Sequence, residues 1–229
     1  MRFISVLISV AALAAGTMLA GAVTIDTGSA KIQVNLPDGY CLLDETVEGH
    51  KKILDFAKAK SQGQNDVLLI SGPCAETADL AAGKVSALAA SFIVLGPTQA
   101  KGLDLTGQEA RSLAGVCQDL KRAAGGGSSE QDLGRLEAQV AAVLGNLKPG
   151  DLVPIGLYRE QAGYCMNGFA LKRSGADGKP HPTVILSGMS VWQGLLVQVL
   201  HTIVYDDKLY LQRDIESFDA ILGGSGAAP

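Results

Sequence analysis

Apolar and polar residues alternate strictly over positions 31–36: Ile32, Val34 and Leu36 are apolar, and Lys31, Gln33 and Asn35 are polar. A period of two puts one set of side chains on one face, so the spacing predicts a half-buried strand. Pro37, Asp38 and Gly39 follow. They combine a fixed φ, a side chain able to bond its own backbone, and tolerance of positive φ, so a tight turn is expected. Apolar chain resumes over 40–43. The period then lengthens. Over 46–61, Val47, Leu54 and Ala57 share a helical face that Ile53 and Phe56 widen, while Lys51, Lys52, Asp55 and Lys58 fall outward. Gln62 and Gly63 end that helix.

Residues 67–70 form a short continuous apolar run, read as a well-buried strand and ended by Gly72 and Pro73. Residues 75–90 are Ala-rich, with a helical turn over 76–82. A strand at 91–95 closes at Gly96 and Pro97. A helix is predicted over 105–124, with Leu113, Val116, Cys117 and Leu120 as its apolar stripe. Thr106 and Glu109 have the spacing of a capping box. The Gly/Ser connector at 124–129 reads as flexible linker. It lacks the Gly-Lys-Ser/Thr ending of a phosphate-cradling loop, and no strong strand leads into it. The strongest helix is 129–147, where Leu133, Leu136, Val140, Val143, Leu144 and Leu147 recur at spacings of three and four.

From residue 152 the pattern returns to strands: 152–158, 164–172, 183–192 and 195–205. A polar turn at 174–182 and a hairpin turn at 206–208 separate them, and 209–212 is read as a returning strand. Consecutive strands on short turns imply an antiparallel meander. A short final helix, 214–222, is capped by Asp214, and the small, polar tail 223–229 is expected to be disordered. The class is therefore α+β, a mostly antiparallel sheet packed by helices, in a single domain over 23–222.

The first residues change the picture. Met1 and Arg2 give a basic start, 3–16 are apolar or small, and Ala20, Gly21 and Ala22 fit a small-x-small cleavage site. This is the pattern of a secretory signal peptide over 1–22. The alternative is a retained membrane anchor, for which an apolar run of about 15–20 residues is short. Nothing later is long and apolar enough to span a membrane. The formal charge of −4 becomes one unit more negative once Arg2 leaves with the leader. That balance argues against general nucleic-acid binding, which needs a basic footprint.

Export also changes the meaning of Cys41, Cys74, Cys117 and Cys165. An even count after a signal peptide favours disulfides over metal ligation, and there is no C-x-x-C pair. Three connectivities are open. We favour Cys41–Cys74, each at a strand end, and Cys117–Cys165, joining a helix to a strand beyond it. Each loop would contribute roughly 3–4 kcal/mol in the chain-entropy model. The alternative is buried free thiols.

The segment Val34-Asn35-Leu36-Pro37-Asp38-Gly39-Tyr40, with the meander over 183–212, resembles the PsbP-like group of exported α/β/α sandwich proteins. There a strand ending in Pro, then one or two residues and an aromatic, opens the fold. The resemblance implies a sheet packed by helices and a binding or assembly role. It carries over no catalytic residue.

Candidate chemistry is sparse. His201 shares a predicted strand face with Leu195, Val197, Val199, Ile203 and Tyr205. It is either a general base facing a pocket or, as that pattern favours, a hydrogen-bonded core histidine. His181 lies between two prolines in a turn, and His50 near a helix start. Their separations fit no metal motif, so no metal and no cofactor are expected. Ser187, Gly188, Met189 and Ser190 suggest a nucleophile elbow, but Trp192 stands where that motif needs Gly, and strand leads to strand. Gly188 then reads as a bend within the sheet. Trp192 and Tyr210 are candidate ligand-lining aromatics, although core packing is the commoner use. Asp206 and Asp207 read as a solvated turn.

The sequence thus points to a periplasmic or secreted, non-catalytic protein that binds an envelope partner or a small ligand, with His201 and Trp192 as candidate binding residues. The alternatives are a hydrolase-like enzyme with a dispersed site that includes His201 or Asp206, and a membrane-tethered structural protein.

Overall fold

The computed structural model describes residues 22–27, 31–125, 133–148, 150–174, 179–205 and 211–224. The expectations for residues 1–21, for 126–129 of the connector, for 129–132 of the helix after it, for 175–178 of the polar turn, for the 206–208 hairpin, for Leu209 and Tyr210 and for 225–229 of the tail lie outside these residues.

The first two strands, β1 (Ala22–Asp26) and β2 (Lys31–Asn35), pair antiparallel as a separate ribbon. Ile32 and Val34 are fully buried and their polar neighbours exposed, as the alternation requires. The turn at 37–39 closes with Tyr40 N–H donating to Pro37 O at 3.1 Å, and Gly39 takes φ +79°. The chain then runs through β3 (Tyr40–Leu42), α1 (Glu48–Ser61), β4 (Asn65–Pro73), α2 (Cys74–Ala81) and β5 (Ala90–Pro97). Next come α3 (Glu109–Ala123) and α4 (Leu133–Asn146). The meander β6 (Leu152–Gln161), β7 (Tyr164–Ser174), β8 (Pro180–Trp192) and β9 (Leu195–Val204) follows, and α5 (Leu211–Gly224) closes the chain.

Seven strands form one antiparallel sheet in the order β3-β4-β5-β9-β8-β7-β6. Strand β9 sits at its centre, and its residues alternate between buried and half-buried from end to end. The strands β8 and β9 are joined by Gln193 and Gly194, both at positive φ (50° and 81°), the backbone of a two-residue type I′ hairpin.

Helices cover both faces. On one, α4 brings Leu136, Val140 and Leu144, α5 brings Ile215 and Phe218, and the β1–β2 ribbon brings Ile32 and Val34 against Val197 and Val199. On the other, α3 packs Leu113 and Cys117 on Cys165 and Met189, while α1 and α2 pack Leu54 and Leu80 on Ile70. The molecule is an α+β protein with three layers.

The four cysteines pair as favoured above. Cys41–Cys74 ties β3 to the start of α2, and Cys117–Cys165 ties α3 to β7. Among the described residues no cysteine is free, and no helix is long and apolar enough to cross a membrane.

Four expectations fail locally. The Thr106/Glu109 capping box does not form. Gly107 at φ +75° turns the chain off the helical path, so the helix begins only at Glu109. Glu109 then accepts from Gly107 N–H at 2.8 Å, while Thr106 Oγ1 donates to Asp104 Oδ1 at 2.6 Å. The returning strand at 209–212 is not found where the chain is described. Leu211 and Gln212 instead open α5, because Leu211, Ile215, Phe218 and Leu222 recur at helical spacing and all are buried. Asp214 accordingly lies in the first turn of that helix rather than at its cap. The same helix runs to Gly224, two residues into the expected tail.

Candidate functional site

Three segments far apart in sequence meet at a cleft of about 510 Å³, lined by the turn after β2, by β9 and by α5. The β2 turn contributes Leu36, Pro37 and Asp38, β3 contributes Tyr40, and α5 contributes Arg213, Asp214 and Ser217. His201 of β9 lies on its floor.

His201 is placed by strand pairing. It is the register partner of Phe92 on β5 and of Leu186 on β8. Its ring stacks on Phe92 with centroids 3.8 Å apart and planes 9° from parallel, and Tyr40 meets it edge-on at 6.4 Å. Nδ1 lies 3.1 Å from the Ser91 carbonyl oxygen. A carbonyl only accepts, so Nδ1 carries a proton and donates it. Nε2 lies 3.5 Å from Asp214 Oδ1, the outer limit of a hydrogen bond.

A histidine beside a carboxylate is the start of a hydrolytic site, so what else it touches decides the matter. A working base needs one nitrogen open to a nucleophile or a water. Here Nδ1 is held by backbone and Nε2 faces the carboxylate, and the side chain is only 1% exposed. Ser217 and Tyr40 line the same cleft, but neither bonds to the ring. Burial, and after it the nearby Asp214 carboxylate, push the Tyr40 phenol up to about 12. Tyr40 is thus an O–H donor at neutral pH and not a base. The cleft offers a phenol donor, a guanidinium, a carboxylate and an apolar wall, which suits recognition better than proton transfer.

The other candidates go elsewhere. Trp192 is 1% exposed and donates from Nε1 to Leu222 O at 3.3 Å. It sits at the β8 hairpin end on the same sheet face as His201, about 20 Å away at the usual rise per strand residue, and it does not line the cleft. Ser190 Oγ donates to Gly163 O at 2.9 Å, and Ser187 Oγ accepts from Gln198. Both are occupied inside the sheet, and no helix follows them. Gly188 packs under α5, where a Cβ would come within 2.5 Å of Leu222. His50 is buried between Asp44 N–H and Thr77 O. Among the described residues, no three His, Cys, Asp or Glu side chains gather where they could hold a metal ion.

Sequence reasoning missed Tyr40, Arg213 and Asp214 as a group. It also missed a second cluster on α5, where Asp219 meets Arg159 and Tyr164. The available signal was the run of Asp214, Glu216 and Asp219 on a helix otherwise used for core packing.

Among solved structures, a point mutant of the protein Mog1 aligns over 90% of this chain and 90% of its own, at 10% identity and a TM-score of 0.34. The Saccharomyces cerevisiae Ran-binding protein Mog1p aligns over 86% of this chain and 85% of its own, at 9% identity and 0.33. LpqN of Mycobacterium tuberculosis, described as involved in cell envelope biogenesis, aligns over 91% of both chains, at 14% identity and 0.33. Scores this low transfer neither family nor function to this chain. No family model and no curated protein matches it.

Proposed function

We propose that this chain is an exported, non-catalytic protein of the cell envelope, periplasmic or secreted, that binds a partner protein or a small ligand. The observation that supports binding over catalysis is the state of His201. It is the one histidine on the cleft floor, and both its ring nitrogens already face protein groups. Export is supported by the basic-apolar-small leader and by four cysteines that all lie in disulfides. Cleavage after Ala22 would start the mature chain at Val23, inside β1 and opposite Val34.

The test is intact-mass analysis of the native protein after alkylation without reductant, paired with an esterase and peptidase screen of the same sample. The expected result is a chain starting at Val23, no label on any sulfur, and no turnover above buffer. A chain starting at Met1 with four alkylated thiols removes the export reading. Turnover that disappears in His201→Asn removes the non-catalytic one.

A further inference from the structure

The sheet face opposite the cleft carries a second concavity. Between α1 and the strands lies an apolar groove of about 650 Å³. Ile93 and Leu95 of β5, Leu200 of β9 and Leu88 form its floor, and Ile53 and Phe56 of α1 form one wall. Phe56 is 64% exposed, the most of any large apolar side chain among the described residues. A helix that leaves its one aromatic over an apolar trough has an unfinished contact there.

The rim is charged, and its charges are unbalanced. Helix α1 carries four lysines. Lys51 pairs with Asp55, Lys52 with Glu48 and Lys58 with Glu45. Lys60 has no carboxylate partner among the described residues and instead lies 5.7 Å from the Phe56 ring centroid, at the groove mouth. Arg173 of β7 also lines the groove, is exposed, and has no carboxylate partner among the described residues. In a chain of formal charge −4, two unpaired cations at the mouth of an apolar groove select for an anionic head on an apolar body. The floor lies on the flat of the sheet, where β5 and β9 already bond to one another. A peptide laid there would find no edge to pair with and would bury unpaired backbone groups, whereas a hydrocarbon chain has none to bury.

We propose that this groove binds a single-chain anionic amphiphile, its tail along Ile93, Leu95 and Leu200 and its head group between Lys60 and Arg173. This names the ligand class within the small-ligand reading above and rests on it, but at a different place from the His201 cleft.

The test is a titration of the purified protein at low salt with cis-parinaric acid, below its micelle concentration, followed by displacement with dodecanoate, dodecanol and dodecyltrimethylammonium. Saturable binding is expected, with dodecanoate displacing the probe at a concentration about tenfold below that of dodecanol, the effect of roughly two exposed charge contacts. The pair Lys60→Glu and Arg173→Glu should erase that preference, and Phe56→Asp should weaken every ligand. All three substitutions sit on exposed side chains. Arg213→Glu, in the other cleft, should change nothing. Equal displacement by acid and alcohol, indifference to the rim variants, loss of binding in Arg213→Glu, or uptake only into micelles would each overturn the proposal. An exported, fully oxidised protein that fails here would leave the envelope reading standing and remove this one alone.

Discussion

Tyr164 on β7 donates a 2.9 Å hydrogen bond to Asp219 Oδ1 on α5, across 55 residues of chain, while Arg159 on β6 pairs with the other carboxylate oxygen. The three side chains bolt the last helix to the meander. Burial raises the Asp219 carboxyl above the usual carboxylate range. The Tyr164 hydrogen bond and the Arg159 charge pull it back, and burial wins. Tyr164 is itself pushed up, by burial first and by its bond to Asp219 second, so it keeps its proton.

That balance has a sign in the stability curve. A carboxyl raised in the folded state takes up its proton before the unfolded chain does. Its contribution is fully present below the unfolded value and is lost as pH rises through the folded one. Tyr164→Phe and Arg159→Met each remove a group that holds Asp219 down. Both should move its carboxyl further up in a carbon-detected NMR titration and widen the acidic window in which stability falls with rising pH. Asp219→Asn should remove that part of the slope. A downward move in either variant would mean that the side chain removed was not holding the Asp219 carboxyl down.

The two disulfides close loops of similar span, with sequence separations of 33 and 48. Loop entropy alone separates them by only a few tenths of a kcal/mol. Burial separates them more. Cys117 and Cys165 are 3% and 0% exposed, in the cluster under α3, whereas Cys41 and Cys74 are half-buried at the sheet edge. Replacing either pair by alanine should cost about 2–4 kcal/mol in urea denaturation, with Cys117/Cys165 the costlier because it also leaves a cavity. The reverse order would show that the sheet edge at β3, not the α3 contact, is the weaker joint.

Much of this was readable from period alone. The alternation of β9 put His201 on the face of Val197 and Val199, and the spacing in α4 marked Leu136, Val140 and Leu144 as its buried stripe. The order of strands was readable only in the meander, where short turns pair β6 with β7, β7 with β8 and β8 with β9; how β3, β4 and β5 join it was not. Alternation assigns a side chain to a face, but it does not say which strand lies alongside, so nothing local announces that β5 pairs with β9 more than 100 residues later or that Tyr40 and Asp214 reach His201. The start of α5 misled because Leu209, Tyr210, Leu211 and Gln212 satisfy a strand pattern over four residues, and the helical stripe shows only by Ile215 and Phe218. The failed capping box has a backbone cause, the positive φ of Gly107, which side-chain spacing does not encode. Gly188 reads as a bend, but the structure uses it as clearance for Leu222.

The two buried histidines should hold opposite tautomers. At His50, Nδ1 accepts from Asp44 N–H at 3.0 Å, so the proton must sit on Nε2, which donates to Thr77 O at 2.8 Å. At His201 the carbonyl of Ser91 lies against Nδ1, so Nδ1 must carry the proton. Long-range proton–nitrogen NMR correlations at neutral pH should therefore show His50 protonated on Nε2 only, and His201 protonated at least on Nδ1. His50→Gln would leave the Asp44 amide or the Thr77 carbonyl without its partner inside the α1–α2 contact, for a loss of about 1–3 kcal/mol. His201→Phe keeps the stacking on Phe92 and loses only the hydrogen bonds, so it should fold with a loss in the same range of about 1–3 kcal/mol and bind groove ligands normally. An Nε2-only proton on His201 would release Nδ1 from Ser91, open that nitrogen to other chemistry, and undo the reading of this histidine as a committed part of the core.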